Sequence, residues 1–395
     1  MSLTAQEQKV CGLIAAKAGA LLEDLRLHVG IPTGLGHAAG LDETRERFTA
    51  RLAALRASIA LVPGEFKEEW LYGHEARGPV PPTAVARRGG RGRPVLLCGH
   101  LDTVHDPRSP FNALTVQADG KTATGPGCVD MKGGLVIGVA ALEALEEAGV
   151  DASWGFILNS DEETGSYHSD ATLRAEARNG YTCGLVLEPA MPDGGLVIER
   201  PGSGQFMIEA HGKAAHVGRD YSSGVSAVTP LARCIVQCAA MADPAAGRIV
   251  NIGPVEGGVA ANVVPDRARA WGNVRFSTAE IGEDLGRLLE SMEMAGGLPR
   301  VEVRRSFNRP AKPLTPATEA LALKARAAAE DLGQKLPFGR TGGVCDGNNL
   351  QAAGLPAIDT LGVRGGGLHT PQEWIELASL VERCQLLAVL IMRLQ

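Results

Sequence analysis

The stretch Val95 to Val104 reads VLLCGHLDTV, an apolar run that stops at Gly99 and delivers His100 and Asp102. In extended backbone side chains alternate faces, so these two residues, two apart, point the same way. A metal-binding histidine commonly has its second ring nitrogen held by a carboxylate, which suits His-x-Asp at a strand end; a capping aspartate beside a satisfied histidine is the plainer reading. WGFILNSDEETGS, 154 to 166, ends in Asp161, Glu162 and Glu163, and TCGLVLEP, 182 to 189, ends in Glu188. Adjacent carboxylates repel one another, a cost that either a solvated turn or a bound cation relieves. TGPGCVDMKGG, 124 to 134, sets Asp130 on a glycine-rich turn ahead of the apolar run 135–149. It matches neither the phosphate loop nor the dinucleotide fingerprint, and an acid there would repel phosphate. Asp130 therefore reads as aimed at a cation, and its two oxygens allow it to bridge two. In GGGLHTPQEW, His369 follows an apolar stretch as His100 does.

These groups need one sheet edge to bring them together. Each ends an apolar run of strand length, and open α/β sheets bind ligands at the carboxyl ends of their strands. Around them, the spacing of Val10, Leu13, Ile14, Ala18, Leu21 and Leu25 predicts one amphipathic helix over 5–28, with a weaker repeat over 43–60. RRGGRGRP, 87–94, resembles an RG-type RNA-binding element but is short and isolated, and reads as a solvated hairpin turn. From Gly202 to Asn308 the order is strand 205–210, helix 224–241, strands 248–254 and 266–276, helix 279–294 and strand 300–305, the split pattern of a ferredoxin-like domain. It is bounded by RPGSG and FNRPAKP and reads as an insertion. A helix over 317–332, a buried strand over 355–363 and a closing helix over 374–393 complete the prediction. Asp346 fits equally as an N-cap for a short helix through Leu350.

Composition narrows the partners. A net charge of −6 and a pI near 5.9 give no basic field for nucleic acid or anionic membrane, which leaves small metabolites. No apolar run reaches the length of a membrane span, and MSLTAQEQK lacks a leader's layout, so a cytoplasmic protein is expected. The eight cysteines are scattered without CxxC pairs, against a disulfide framework or a thiolate zinc cluster.

Taken together, GHLDTV, GPGCVDMKGG, DEETGS, LEP and GLHTPQEW occur in the order of five motifs of the aminoacylase, acetylornithine deacetylase and glutamate carboxypeptidase family of dinuclear zinc metallopeptidases, which the chain resembles from about residue 90 onward. GKAAHVG, NVVP (262–265) and NVRF (273–276) match as well, and RTGGVCDGNNL, 340–350, resembles the glutamate carboxypeptidase branch in particular. The resemblance implies an α/β fold: a mixed-sheet zinc-peptidase catalytic domain, 1–201 and 310–395, with an inserted ferredoxin-like α+β lid and dimerisation domain, 202–309. It implies two zinc ions per chain, with cobalt or manganese as substitutes. Asp130 would bridge them, His100 and Glu188 completing one and Glu163 and His369 the other. Asp102 would orient His100, Glu162 would be the general acid/base, and the Asp130–Met131 peptide would be cis. His216, Asn262 and Arg275 match positions that bind the scissile carbonyl or the substrate carboxylate, with Gly343 of the RTGG segment beside them; His216 would reach the partner subunit's active site in a homodimer. Hydrolysis of an N-acyl amino acid or short peptide follows, as a carboxypeptidase releasing a C-terminal amino acid or as a deacylase of the acetylornithine or succinyl-diaminopimelate type. A metal-binding module that has lost catalysis is disfavoured, since it would be free to lose Glu162.

Overall fold

Val95–His100 forms the strand its apolar run predicts, buried throughout. The computed structural model describes residues 2–34, 36–72 and 78–395, and this strand lies inside a six-stranded sheet. The order is Ser58–Val62, Thr83–Arg88, Trp154–Asn159, Val95–His100, Gly184–Val186 and Ala357–Ile358. The last four run parallel and the first two pair antiparallel, giving a mixed sheet. Alternation then divides the core. Val95 and Leu97 pack with the helices Gly133–Glu147 and Ala378–Leu394, whereas Leu96 and Cys98 pack on the other face with Leu173 and Leu350. Both faces are covered, which is why the strands read as unbroken apolar runs.

A second, four-stranded antiparallel sheet carries the inserted domain, in the order Arg248–Gly257, Arg267–Phe276, Gly202–His211, Arg300–Arg309. Numbered along the segment that is 2-3-1-4, and the helices Val228–Ala240 and Ala279–Glu290 cover one face around a separate core that includes Phe206, Ile208, Leu231 and Leu285. Cys234 and Cys238 lie in that core. A small third sheet, Gly365–Gly366, Trp374–Glu376, Thr122–Thr124 and Thr115–Val116, brings the two ends of the body together.

Five local expectations are corrected. The first helix breaks at Lys17 into Ala5–Ala16 and Ala18–Val29. Strands 83–88 and 95–100 are not a hairpin, because Trp154–Asn159 lies between them; the glycines of the joining loop are needed where a Cβ on Gly90 would stand 2.5 Å from the Ala152 carbonyl oxygen. The 355–363 run is strand only at Ala357–Ile358, and 374–376 pairs with 122–124 before the last helix starts at Ala378. Cys345, not Asp346, occupies the cap of the helix Asp346–Ala352.

Candidate metal centre

The parallel strands end on one edge, and their next residues meet there. His100 closes its strand opposite Asn159, so the loop after Asn159 carries Glu162 and Glu163 beside it, while Glu188 follows Gly184–Val186 from the other side. Asp130 arrives on the turn Cys128–Lys132, with the Asp130–Met131 peptide cis, ahead of the helix Gly133–Glu147. That helix seats closely on the neighbouring strand because Gly134 has no side chain; a Cβ there would lie 2.2 Å from the Leu187 carbonyl oxygen. His369 is supplied by the loop between the two strands of the third sheet that follow residue 364.

Asp130 stands between the two histidines. Its Oδ1 lies 3.2 Å from His100 Nε2 and its Oδ2 3.4 Å from His369 Nε2. Each imidazole has a second acid: Glu188 Oε1 is 4.0 Å from His100 Nε2, and Glu163 Oε2 is 3.2 Å from His369 Nε2. His100 Nδ1 donates to the Asp102 main-chain carbonyl at 2.9 Å, which fixes the tautomer and turns the Nε2 lone pair toward the acids. The Asp102 carboxylate, 3.4 Å from the same nitrogen, accepts the backbone N–H of Glu162 at 3.2 Å and of Glu163 at 3.0 Å. One residue thus orients the histidine and pins the acidic loop.

The electrostatics of the cluster call for positive charge. Burial, reinforced by Asp130, pushes the Glu188 carboxyl up to about 8, and burial raises Glu163 despite His369. Burial opposes ionisation of Asp130 too, but the two imidazoles outweigh it and hold that carboxyl below the usual range. Hydrogen bonding to Asp130 and Glu163 drives His369 up to about 10. Glu163 Oε1 and Glu188 Oε1 are buried with no hydrogen-bond partner among the described residues. Lone pairs facing lone pairs across such distances need a proton or a cation between them, and His100, Asp130 and Glu163 present donor atoms within 4.8 Å of one another. Imidazole and carboxylate donors without sulfur fit a divalent metal. A second group, Glu209, His211 and Glu302 on the inserted sheet, is different: Arg267 pairs with Glu209 at 2.5 Å and Arg300 with Glu302 at 3.0 Å, so those acids already have their counter-charges.

Two residues escaped the sequence reading. Glu373 is buried, and its carboxylate accepts from the amides of Gly127 (2.9 Å), Val129 (2.9 Å) and Asp130 (3.0 Å) and pairs with His105 Nε2 at 2.6 Å. It holds the backbone that aims Asp130. Its signal was its place in TPQEW, four residues after His369. Glu373→Gln turns an amide NH2 toward those donors and is expected to weaken metal binding about 10- to 100-fold with the fold retained, read by competition with a chromogenic chelator. Arg309, buried at the end of the inserted domain, donates to Glu162 Oε1 at 2.7 Å, to Asp346 Oδ1 at 2.7 Å and to Ser166 Oγ at 2.7 Å. Burial raises the Glu162 carboxyl well above the usual range in spite of that arginine. Asp346 also accepts from Asn159 Nδ2 at 2.6 Å, so it is the hub of a buried network rather than a cap.

The remaining candidates make no hydrogen bond or ion pair with the metal cluster among the described residues. Arg275 is half-buried, within the electrostatic reach of Arg309 and Glu162, and its Nη1 has no hydrogen-bond partner among the described residues. His216 and Asn262 are neighbours on the exposed rim of the inserted domain, where Val217 N donates to the Asn262 carbonyl at 3.0 Å and Gly218 N to His216 Nδ1 at 3.1 Å; no hydrogen bond or ion pair joins either to the acids among the described residues. Gly343 is exposed and its carbonyl accepts from Arg200.

Comparison with known proteins places this geometry. Residues 96–393 match the model of "Peptidase family M20/M25/M40". Carboxypeptidase G2 of Pseudomonas sp. (strain RS-16) is 28% identical over 388 residues, 95% of this chain and 89% of that protein. A succinyl-diaminopimelate desuccinylase of Methylorubrum populi is 30% identical over 337 residues, 78% and 84%. Among solved structures, a tripeptidase of Staphylococcus aureus superposes with a TM-score of 0.75 at 22% identity over 95% of this chain and 98% of that one, and an M20 metallo-carboxypeptidase of Sulfolobus solfataricus with 0.72 at 16% over 94% and 98%. The match across both sheets, together with a cation-seeking cluster where the motifs converge, identifies the chain as a metal-dependent peptidase and amidohydrolase belonging to peptidase family M20/M25/M40.

Proposed function

We propose that this enzyme hydrolyses an amide bond next to a free carboxylate and releases a C-terminal amino acid, as a glutamate carboxypeptidase does. The observation that carries the reading is Asp130, whose two oxygens each face a different histidine, each histidine backed by its own glutamate. In this reading His100, Asp130 and Glu188 hold one zinc ion and Asp130, Glu163 and His369 the other, with cobalt or manganese as substitutes. When bound, such ions lower the pKa of water from roughly 16 to about 7 and polarise a carbonyl. Glu162 takes the proton of the attacking water and passes it to the departing nitrogen, a role worth about 10²- to 10⁴-fold. The unpartnered guanidinium edge of Arg275 supports its assignment to the substrate carboxylate, since a planar fork suits that group.

His216 makes no hydrogen bond or ion pair with the acids of its own chain among the described residues, which supports a role at the scissile carbonyl in the active site of the partner subunit, with Asn262 beside it on the same rim. Arg248–Gly257 is an edge strand with Ile249 and Val255 exposed, and Val236 is exposed on the helix Val228–Ala240. Unpaired apolar edges of this kind are covered in stable proteins, which supports a homodimer through the inserted domain, 202–309. Among the described residues no helix is long and apolar enough to cross a membrane.

The deacylase reading rests on the desuccinylase relative. Zinc-loaded protein assayed against C-terminal-glutamate dipeptides and N-acetyl and N-succinyl amino acids separates the two: the proposal expects faster release of glutamate from the dipeptides, and preferential cleavage of an N-acyl amino acid overturns it.

A further inference from the structure

The inserted domain is joined to the body by two crossings, and they are bound to each other. Arg200 N donates to the Lys312 carbonyl at 3.0 Å and Lys312 N to the Arg200 carbonyl at 2.9 Å. Beneath them Asp359, fully buried, pairs with Arg200 Nη2 at 2.8 Å and with Lys312 Nζ at 3.2 Å. Beside them Asn348, also fully buried, donates from one amide nitrogen to the Pro201 carbonyl at 2.9 Å and to the Pro310 carbonyl at 2.8 Å. An amide carries two hydrogens, so each proline carbonyl receives one. The Asn348 oxygen is committed in turn, accepting Cys345 N at 3.1 Å.

The same short turn grips the residues next in line. Asp346 accepts from Arg309 Nη1 at 2.7 Å; Asn349 accepts from the same nitrogen at 3.2 Å and donates to the Asn308 carbonyl at 3.0 Å. Residues 346, 348 and 349 therefore hold 308, 309 and 310 of the outgoing crossing, and of these three 348 also holds the incoming one, beside the Arg200 pairing with Asp359. Arg309 is the residue that touches Glu162, and Arg275 rides on the strand next to the one that leaves Pro201.

The geometry points to Asn348 as a positioning residue: by fixing both crossings it sets the angle of the inserted domain, and with it the placement of Arg275 relative to Glu162, while Arg309 keeps its own partners in Asp346, Asn349 and Ser166. Asn348 makes no hydrogen bond to the acids or histidines of the metal cluster among the described residues, so its effect is transmitted through Arg275. A displacement of about 1 Å at a reacting centre is worth on the order of 10²-fold in rate. The loss falls on substrates whose carboxylate Arg275 holds.

This inference rests on the proposed recognition of a free carboxylate, and the experiment separates the two. Zinc-loaded holoenzyme is assayed with two probes, a C-terminal-glutamate dipeptide and the same dipeptide amidated at its α-carboxyl. The parent enzyme is expected to prefer the free acid. If it does not, the carboxylate reading fails first and takes the inference with it. Given that preference, Asn348→Ala is expected to bind metal as the parent does, to lose about tenfold or more in kcat/KM on the free acid, mainly in kcat, and to change less than threefold on the amide. Asn348→Ser keeps one donor and should fall between them. An undiminished preference in either folded variant overturns the role while leaving the carboxylate reading intact; equal losses on both probes, or failure of both variants to fold, make Asn348 a purely structural post and overturn it as well.

Discussion

Glu162→Gln is expected to leave metal content unchanged and to slow turnover by about 10²- to 10⁴-fold or more. The substitution is isosteric: the amide oxygen still accepts from Arg309, which keeps Asp346 and Ser166 as further partners, so the buried network is not opened. What disappears is the group able to take and return a proton. Burial makes this carboxyl more basic than an ordinary glutamate, which suits a group that takes up a proton. Glu163, next in sequence, cannot substitute, because its oxygen is directed at His369 and its backbone is pinned by Asp102. Metal analysis beside steady-state kinetics checks this, and activity within about tenfold of the parent would remove Glu162 from the acid/base role.

Asp130→Ala is expected to abolish binding at both positions together. Both histidines lose the oxygen they face, and the two halves of the cluster lose the acid they share. Thermal unfolding gives a readout independent of activity. A ligand that binds only the folded state stabilises it by about 2.7 kcal/mol at a hundredfold excess over Kd, so the parent should melt higher with added zinc and the variant should not. A variant retaining two ions per chain, or one that still responds to zinc, would show that the cluster does not depend on a shared acid.

The centre was legible because its parts are local in sequence. An apolar run ending in an acid or histidine announces itself over ten residues, and parallel strands guarantee that several such ends share an edge. Arg309 and Glu373 were not legible for the converse reason. Each acts on residues far along the chain, Arg309 on Glu162 and Asp346, Glu373 on the amides of 127 to 130, and no periodicity encodes that pairing. Lys17 was hidden differently: Val10 and Ile14 before it and Leu21 and Leu25 after it keep one apolar stripe, so the break leaves the pattern untouched. Residues 374–376 read as the start of a helix because their strand partner, 122–124, is remote. The inserted domain was read nearly element by element, since its strands and helices alternate at short range and its sheet order follows the expected ferredoxin-like pattern.

The position of that insertion also governs the order in which the enzyme is made. A chain emerges from the ribosome N-terminus first, and independent units fold as they appear. The sheet of 202–309 has its own apolar core and is complete while the strand Ala357–Ile358, the helix Ala378–Leu394 and His369 are still unmade. The body must therefore wait, its first strands synthesised long before the last one that closes their sheet. A product cut short after the insertion would carry a finished appendage on an unfinished enzyme, lacking His369 and the Glu373 that aims Asp130, and so could not assemble the cluster at the sheet edge.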